Sequence, residues 1–126
     1  MVTETALITG ASGGIGLELA RLHAAKGGDV VLVARSRDKL ESIKQELQTR
    51  YGVKVYVIVE DLADPGAADR VFAATETLGL SIDVLINNAG FGGHGKFVER
   101  NIAADLAMMQ VNMGALTALT LSLIHI

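Results

Sequence analysis

The stretch LITGASGGIGLELA (residues 7–20) sets Gly10, Gly13, Gly14 and Gly16 between an apolar run and an apolar helical pattern. That placement suits an anion. The first turn of a helix presents unpaired backbone N–H groups and the positive end of its dipole. Glycines let the backbone approach a pyrophosphate with no Cβ in the way, and let the helix pack on the sheet. A plain tight turn needs one or two glycines, fewer than this cluster holds. Its spacing is not G-x-G-x-x-G, and no G-K-[ST] follows, which disfavours a nucleoside-triphosphate site.

Such a turn needs a strand before it and a helix after it. Four short runs read as strands: TALIT (5–9), VVLVA (30–34), VYVIV (55–59) and DVLIN (83–87). Each is nearly all apolar, as in strands of a parallel sheet buried on both faces. Helical patterns separate them. Ile15, Leu19 and Leu22 start the first. Ser36 caps the second, which carries Leu40, Ile43, Leu47 and Tyr51 on one face and stops at Gly52, with an outer Glu46–Arg50 pair. Asp64 and Pro65 start the third, which carries Ala68, Val71, Phe72 and Leu78 and stops at Gly79. AGFGGHGKFVERN (89–101) reads as a glycine-rich loop, and one long helix follows from about Asn101. Strands alternating with helices at this spacing predict an α/β, Rossmann-type doubly wound parallel sheet.

The totals narrow the partners. The chain has 126 residues, 50% of them hydrophobic and only 4% aromatic, so one aliphatic core is expected. Mean hydropathy is +0.39, net charge −3 and the isoelectric point about 5.5. That balance is not the footprint of a nucleic-acid binder. There is no cysteine, so disulfides and thiolate metal sites are excluded. His23, His94 and His125 do not form a metal constellation; His23 reads as a packing or surface residue. Met108, Met109 and Met113 read as core or interface filler. GALTALTLSLIHI (114–126) is too short to span a membrane, which takes about 20 residues. No leader pattern opens the chain, and a cytoplasmic location is expected.

Four stretches together resemble the short-chain dehydrogenase/reductase family. TGASGGIG (9–16) matches its T-G-x-x-x-G-x-G, DL (61–62) follows the third strand, NNAG (87–90) follows the fourth, and VN (111–112) lies in the long helix. The likeness spans about residues 3–121 and matches roughly the first half of a typical member. It implies a strand order of 3-2-1-4. It also implies that Gly10, Ser12, Gly13, Gly14, Ile15 and Gly16 hold a dinucleotide pyrophosphate. Asp61 would accept from the adenine amino group, with Leu62 beside the ring. Asn88, Ala89 and Gly90 would lie along the adenosine ribose, while Asn87 would tie strand four to the glycine turn. Arg35 ends strand two, where an NAD binder usually carries an acid for the ribose hydroxyls. Its planar fork of donors, with Ser36 and Arg37 beside it, suits a phosphate instead, so NADP(H) is expected over NAD(H).

The family's chemistry is hydride transfer between a nicotinamide and a small-molecule carbonyl or alcohol. Of its catalytic group only Asn112 is present, and no Tyr-x-x-x-Lys occurs. Cofactor binding without turnover is therefore expected of these 126 residues. SLIHI (122–126) departs from the family pattern and reads as a non-native tail, which leaves residues 1–121 as the N-terminal part of one dinucleotide-binding domain. An open edge at strand four then predicts poor folding or aggregation. The full-length protein is expected to be a homo-oligomer. The main alternative is a non-catalytic, dinucleotide-sensing Rossmann module.

Overall fold

The computed structural model describes residues 3–90, 106 and 109–123. Four parallel strands, β1 (Thr5–Thr9), β2 (Asp29–Ala34), β3 (Val55–Val59) and β4 (Val84–Ile86), form one sheet in the order β3-β2-β1-β4. This is the strand order implied by the resemblance. The registers pair Leu7 with both Val31 and Leu85, and Val31 with Tyr56. Strand four is one residue shorter at each end than the expected 83–87. The Asp83 carboxylate accepts from the Thr5 N–H at 2.8 Å, and the Asn87 amide turns to a helix.

Successive strand residues point to opposite faces, so each strand feeds two apolar layers. Ala6, Ile8, Val30 and Leu32 pack with Ala20 and Ala24 of α1 (Gly14–Ala25) and Leu40 and Leu47 of α2 (Arg37–Tyr51). Leu7, Val31 and Val33 pack on the other side with Ala68 and Val71 of α3 (Ala67–Thr77). Leu119 and Leu123 of α4 (Leu116–Leu123) join that layer.

Helix α2 follows its sequence signals. Ser36 caps it, Leu40, Ile43 and Leu47 are buried, and Gly52 ends it in the left-handed region. Helix α1 does not. It buries Gly16, Ala20 and Ala24, whereas Ile15 and Leu22 are 71% and 59% exposed. The helix lies so close to the sheet that small residues at i, i+4 and i+8 form the contact face. Helix α3 begins at Ala67, not at Asp64–Pro65. The Asp64 carboxylate caps a preceding turn, accepting from the Gly66 N–H at 2.9 Å, while its carbonyl accepts from Ala67 at 3.0 Å. Leu78, expected on the buried face, is exposed.

The last helical segment is not uniform. Residues Gln110–Ala115 form a π-helical turn before α4. Met109 and Met113 do not fill the core; they are exposed, as are Leu106 and Leu116. The expected helix start near Asn101, the glycine-rich loop beyond Gly90, and Met108, His94 and His125 lie outside the described residues. Asn112 sits inside the π turn. His23 is a packing residue: its Nε2 lies 3.0 Å from the Glu4 carbonyl oxygen, and its ring covers Gly28.

The expected Glu46–Arg50 pair is replaced by a longer-range one. Arg21 of α1 donates from Nε and Nη2 to the Glu46 carboxylate of α2 at 2.9 and 3.0 Å, and from Nη1 to Glu18 at 2.6 Å. Hydrogen bonds from Arg21 hold the Glu46 carboxyl below its ordinary range, while desolvation pushes it the other way. A carboxyl depressed in the folded state stabilises it above the unfolded pKa, about 4.3, and that contribution is lost as pH falls through the lower folded value. An Arg21→Gln variant should therefore have a lower urea midpoint than the wild type at neutral pH. The gap should close once the solution is acid enough to protonate Glu46. A gap of constant size would mean that Arg21 acts by packing alone.

Candidate functional site

All four strands end on the same edge of the sheet, because all are parallel. The chain leaves β1 towards β2 on one side and eventually pairs β4 on the other, so a crevice opens where the order reverses. A cleft of about 490 Å³ lies there. Of the expected site residues it gathers Gly10 and Ser12 after β1, Arg35 and Ser36 after β2, Asp61 and Leu62 after β3, and Ala89 and Gly90 after β4. Gly13, Gly14, Ile15, Gly16, Asn88 and Asn112 do not line it.

The glycine turn owes its shape to crowding. Gly10 has φ 65°, and a Cβ there would stand 2.9 Å from Asn88 Nδ2 and 3.0 Å from the Ala89 backbone. A Cβ on Gly16 would collide with the Gly10 carbonyl oxygen and stand 2.5 Å from Asn88 Nδ2. The Asn88 amide donates to that carbonyl at 3.2 Å. This corrects the role expected of Asn87. It is Asn88 that ties strand four to the turn, while Asn87 donates to Thr120 Oγ1 of α4 at 3.1 Å. Asn88 can reach the turn because β1 and β4 are neighbours in the sheet. Thr9, given no role by the sequence beyond its place in the motif, completes the junction. Its hydroxyl oxygen, 1% exposed as a residue, accepts from the Asn88 and Ala89 N–H groups at 3.1 and 2.9 Å. A buried polar side chain closing an apolar strand was the available signal.

Helix α1 then starts at Gly14, with Gly13 extended at the N-cap and no side chain capping its first turn. Backbone donors at that end therefore have no side-chain acceptor. Gly14 and Ile15 are exposed beside them.

The cleft walls differ in charge. Arg35 is exposed on the rim after β2, with no ion-pair partner among the described residues. Lys39, one turn into α2, also lines the cleft. Its spacing of three from the capping Ser36 was the signal in the sequence, one that the family motifs do not include. Ser36 Oγ accepts the Lys39 N–H at 3.5 Å, leaving its own O–H to donate. Arg37 lies outside the lining and reaches Glu41 at 4.0 Å. Across the cleft, Asp61 Oδ1 accepts from the Ala63 N–H at 3.0 Å, and Leu62 is buried in the wall. Asn112 comes to the mouth from the π turn: a Cβ on Gly90 would stand 2.5 Å from its Oδ1. No cluster of metal-binding side chains exists among the described residues, and no helix among them is long and apolar enough to cross a membrane.

Two glycines three positions apart should respond oppositely to the same methyl group. Gly16→Ala forces the α1–β1–β4 junction apart and should destabilise the fold by about 1–3 kcal/mol, with loss of any ligand held at the turn. Gly13→Ala meets nothing within 4 Å in an extended backbone and should leave stability nearly unchanged. Denaturant midpoints of the two variants decide it; equal midpoints would refute the crowding account.

The family model described as short chain dehydrogenase matches residues 4–126. Dehydrogenase/reductase SDR family member 7B of Bos taurus is 39% identical over 125 residues, covering 94% of this chain and 38% of that protein. L-sorbose reductase of Gluconobacter frateurii, solved with NADPH and L-sorbose, superposes with a TM-score of 0.91 at 31% identity, over 99% of this chain and 48% of that one. A short-chain dehydrogenase of Sphingobium yanoikuyae, solved with NADPH, gives 0.88 at 36% identity, over 95% and 46%. The chain thus spans less than half the length of each of these relatives. With its glycine turn, its strand order and its four motifs in place, this chain belongs to the short-chain dehydrogenase family.

Proposed function

We propose that this chain is the NADP(H)-binding part of an oxidoreductase that interconverts a carbonyl and an alcohol. The observation that carries the reading is the pair of cations, Arg35 and Lys39, flanking Ser36 on the cleft rim after β2. An acid at that rim would accept from two ribose hydroxyls; two cations and a hydroxyl would repel no phosphate and can donate to one. The NADPH bound by the sorbose reductase and by the Sphingobium enzyme supports the same choice.

The residues present fit the rest of a dinucleotide. The turn at Gly10, Ser12, Gly13, Gly14, Ile15 and Gly16 has no side chain in the way and an uncapped helix end for a pyrophosphate. Asp61 accepts from an adenine amino group with the oxygen not used by Ala63, and Leu62 offers an apolar surface to the ring. Asn88 contributes by shaping the turn, and Ala89 and Gly90 by leaving room along the sugar. The nicotinamide supplies the hydride when bound. Asn112, held beside Gly90, orients a water for proton movement, the role the family resemblance gives it. With no Tyr-x-x-x-Lys in these 126 residues, the chain alone binds NADPH without oxidising it.

Leu106, Met109, Met113 and Leu116 recur at i, i+3, i+7 and i+10 and are all exposed. That stripe fits self-association of the whole protein through this helix. Sedimentation of a Met113→Glu variant should then show a smaller species than the wild type; identical species would remove the assignment.

The cofactor reading is tested by Arg35→Asp. Hydrogen bonds to charged groups contribute about 1.5–3 kcal/mol, so NADPH affinity should fall roughly 10- to 150-fold, read by nicotinamide fluorescence, while NADH affinity holds or rises. Unchanged NADPH affinity would overturn the phosphate assignment. NADPH consumption by the 126-residue chain with a panel of aldehydes and ketones would overturn the expectation of binding alone.

A further inference from the structure

The loop that carries Asp61 is bracketed by a residue that does not touch the cleft. Arg70 lies early in α3, where a positive charge opposes the helix dipole, so its position calls for acidic partners. It has them. Nε and Nη2 donate to both oxygens of Glu60 at 2.8 and 3.0 Å, a two-pronged contact that fixes orientation as well as distance. Nη2 also stands 3.1 Å from Asp64 Oδ2. Glu60 lines the cleft directly before Asp61, and Asp64 closes the same loop three residues later.

Within that bracket Asp61 has little freedom. Its carbonyl accepts from the Asp64 N–H at 2.9 Å, and Oδ1 accepts from the Ala63 N–H at 3.0 Å. The Glu60 N–H donates to the Ala34 carbonyl at 3.0 Å, which anchors the loop to the end of β2 beside Arg35. Gly66 makes the space: a Cβ there would stand 2.8 Å from Arg70 Nη1. All these groups lie at or near the surface, where ion pairs add little to stability. Their geometry is nevertheless specific, and it converges on one carboxylate.

We infer that Arg70 is a positioning residue for cofactor binding: through Glu60 and Asp64 it holds the 60–64 loop so that Asp61 meets the adenine end of the dinucleotide. The inference rests on the NADP(H) reading above. Removal of the guanidinium leaves the glycine turn and the Arg35 rim in place and loosens only the adenine wall.

The test is a double-mutant cycle on the whole protein, read by titration with NADPH and with 2′,5′-ADP, which lacks the nicotinamide half. Arg70→Gln should weaken both probes about five- to twentyfold, with a urea midpoint close to that of the wild type. In an Asp61→Ala background the same change should cost less than twofold, because the group it positions is gone. Arg70→Lys, which keeps the charge but not the fork, should fall between wild type and Arg70→Gln, and carries the test if the glutamine variant does not fold. Wild-type affinity in Arg70→Gln, or an equal loss with and without Asp61, would overturn the inference and leave the NADP(H) reading standing. A wild-type protein that binds neither probe would overturn the NADP(H) reading itself, and the inference with it.

Discussion

The rest of the structure depends on a close approach of three backbones. The end of β1, the first turn of α1 and the segment after β4 meet at Gly10, Gly16 and Asn88 with no space for a Cβ on either glycine. Thr9 and Asn88 fasten the junction through three hydrogen bonds: the Thr9 hydroxyl oxygen accepts from the Asn88 and Ala89 N–H groups, and the Asn88 amide donates to the Gly10 carbonyl. Close packing at this point has two results. It brings α1 near enough to the sheet that alanines and a glycine, not Ile15 or Leu22, form its buried face. It also leaves the start of α1, next to the cleft residue Ser12, with no side-chain cap.

The second constraint is topological. Parallel strands deliver every β-to-α connection to one edge, so residues far apart in the chain share one rim. Basic groups collect after β2 and acidic groups after β3. The rim therefore offers donors on one side and acceptors on the other. The π turn at Gln110–Ala115 adds a further element from the opposite layer, setting Asn112 beside Gly90. A π turn inserts a residue into the helical ladder and commonly marks a functional position. Here it holds Asn112, whose side chain stands at the mouth of the cleft.

Ion pairs do a different task from the core. The Arg21–Glu46 pair links α1 to α2, and Arg70 links α3 to the loop after β3. Neither is buried deeply, so neither accounts for much of the folding free energy. Burial of aliphatic side chains on both faces of the sheet supplies that. What the arginine forks add is orientation between elements whose apolar faces would tolerate small slips.

Much of this protein was legible from its residues. Continuous apolar runs at 5–9, 30–34, 55–59 and 83–87 predicted buried parallel strands, because only a sheet covered on both faces lacks alternation. Ser36, Gly52 and Gly79 marked helix ends through local capping and left-handed geometry, which depend on few neighbours. The glycine spacing and the three later motifs pointed to the cleft and to half of its lining. Most of the misreadings involve partners distant in sequence; the start of α3 is a local one, where the Asp64 carboxylate closes a turn at Gly66 ahead of the helix. Which face of α1 is buried, whether Glu46 meets Arg50 or Arg21, and whether Asn87 or Asn88 holds the turn were settled by packing between elements. The same holds for Lys39 and Arg70, whose roles depend on what faces them across a loop. Sequence alone determined the elements, their order and the glycine turn, because those follow from local backbone preference and side-chain periodicity. Tertiary structure decided the contact faces, the ion pairs and the charge of each cleft wall, because those depend on which side chains meet when the sheet assembles.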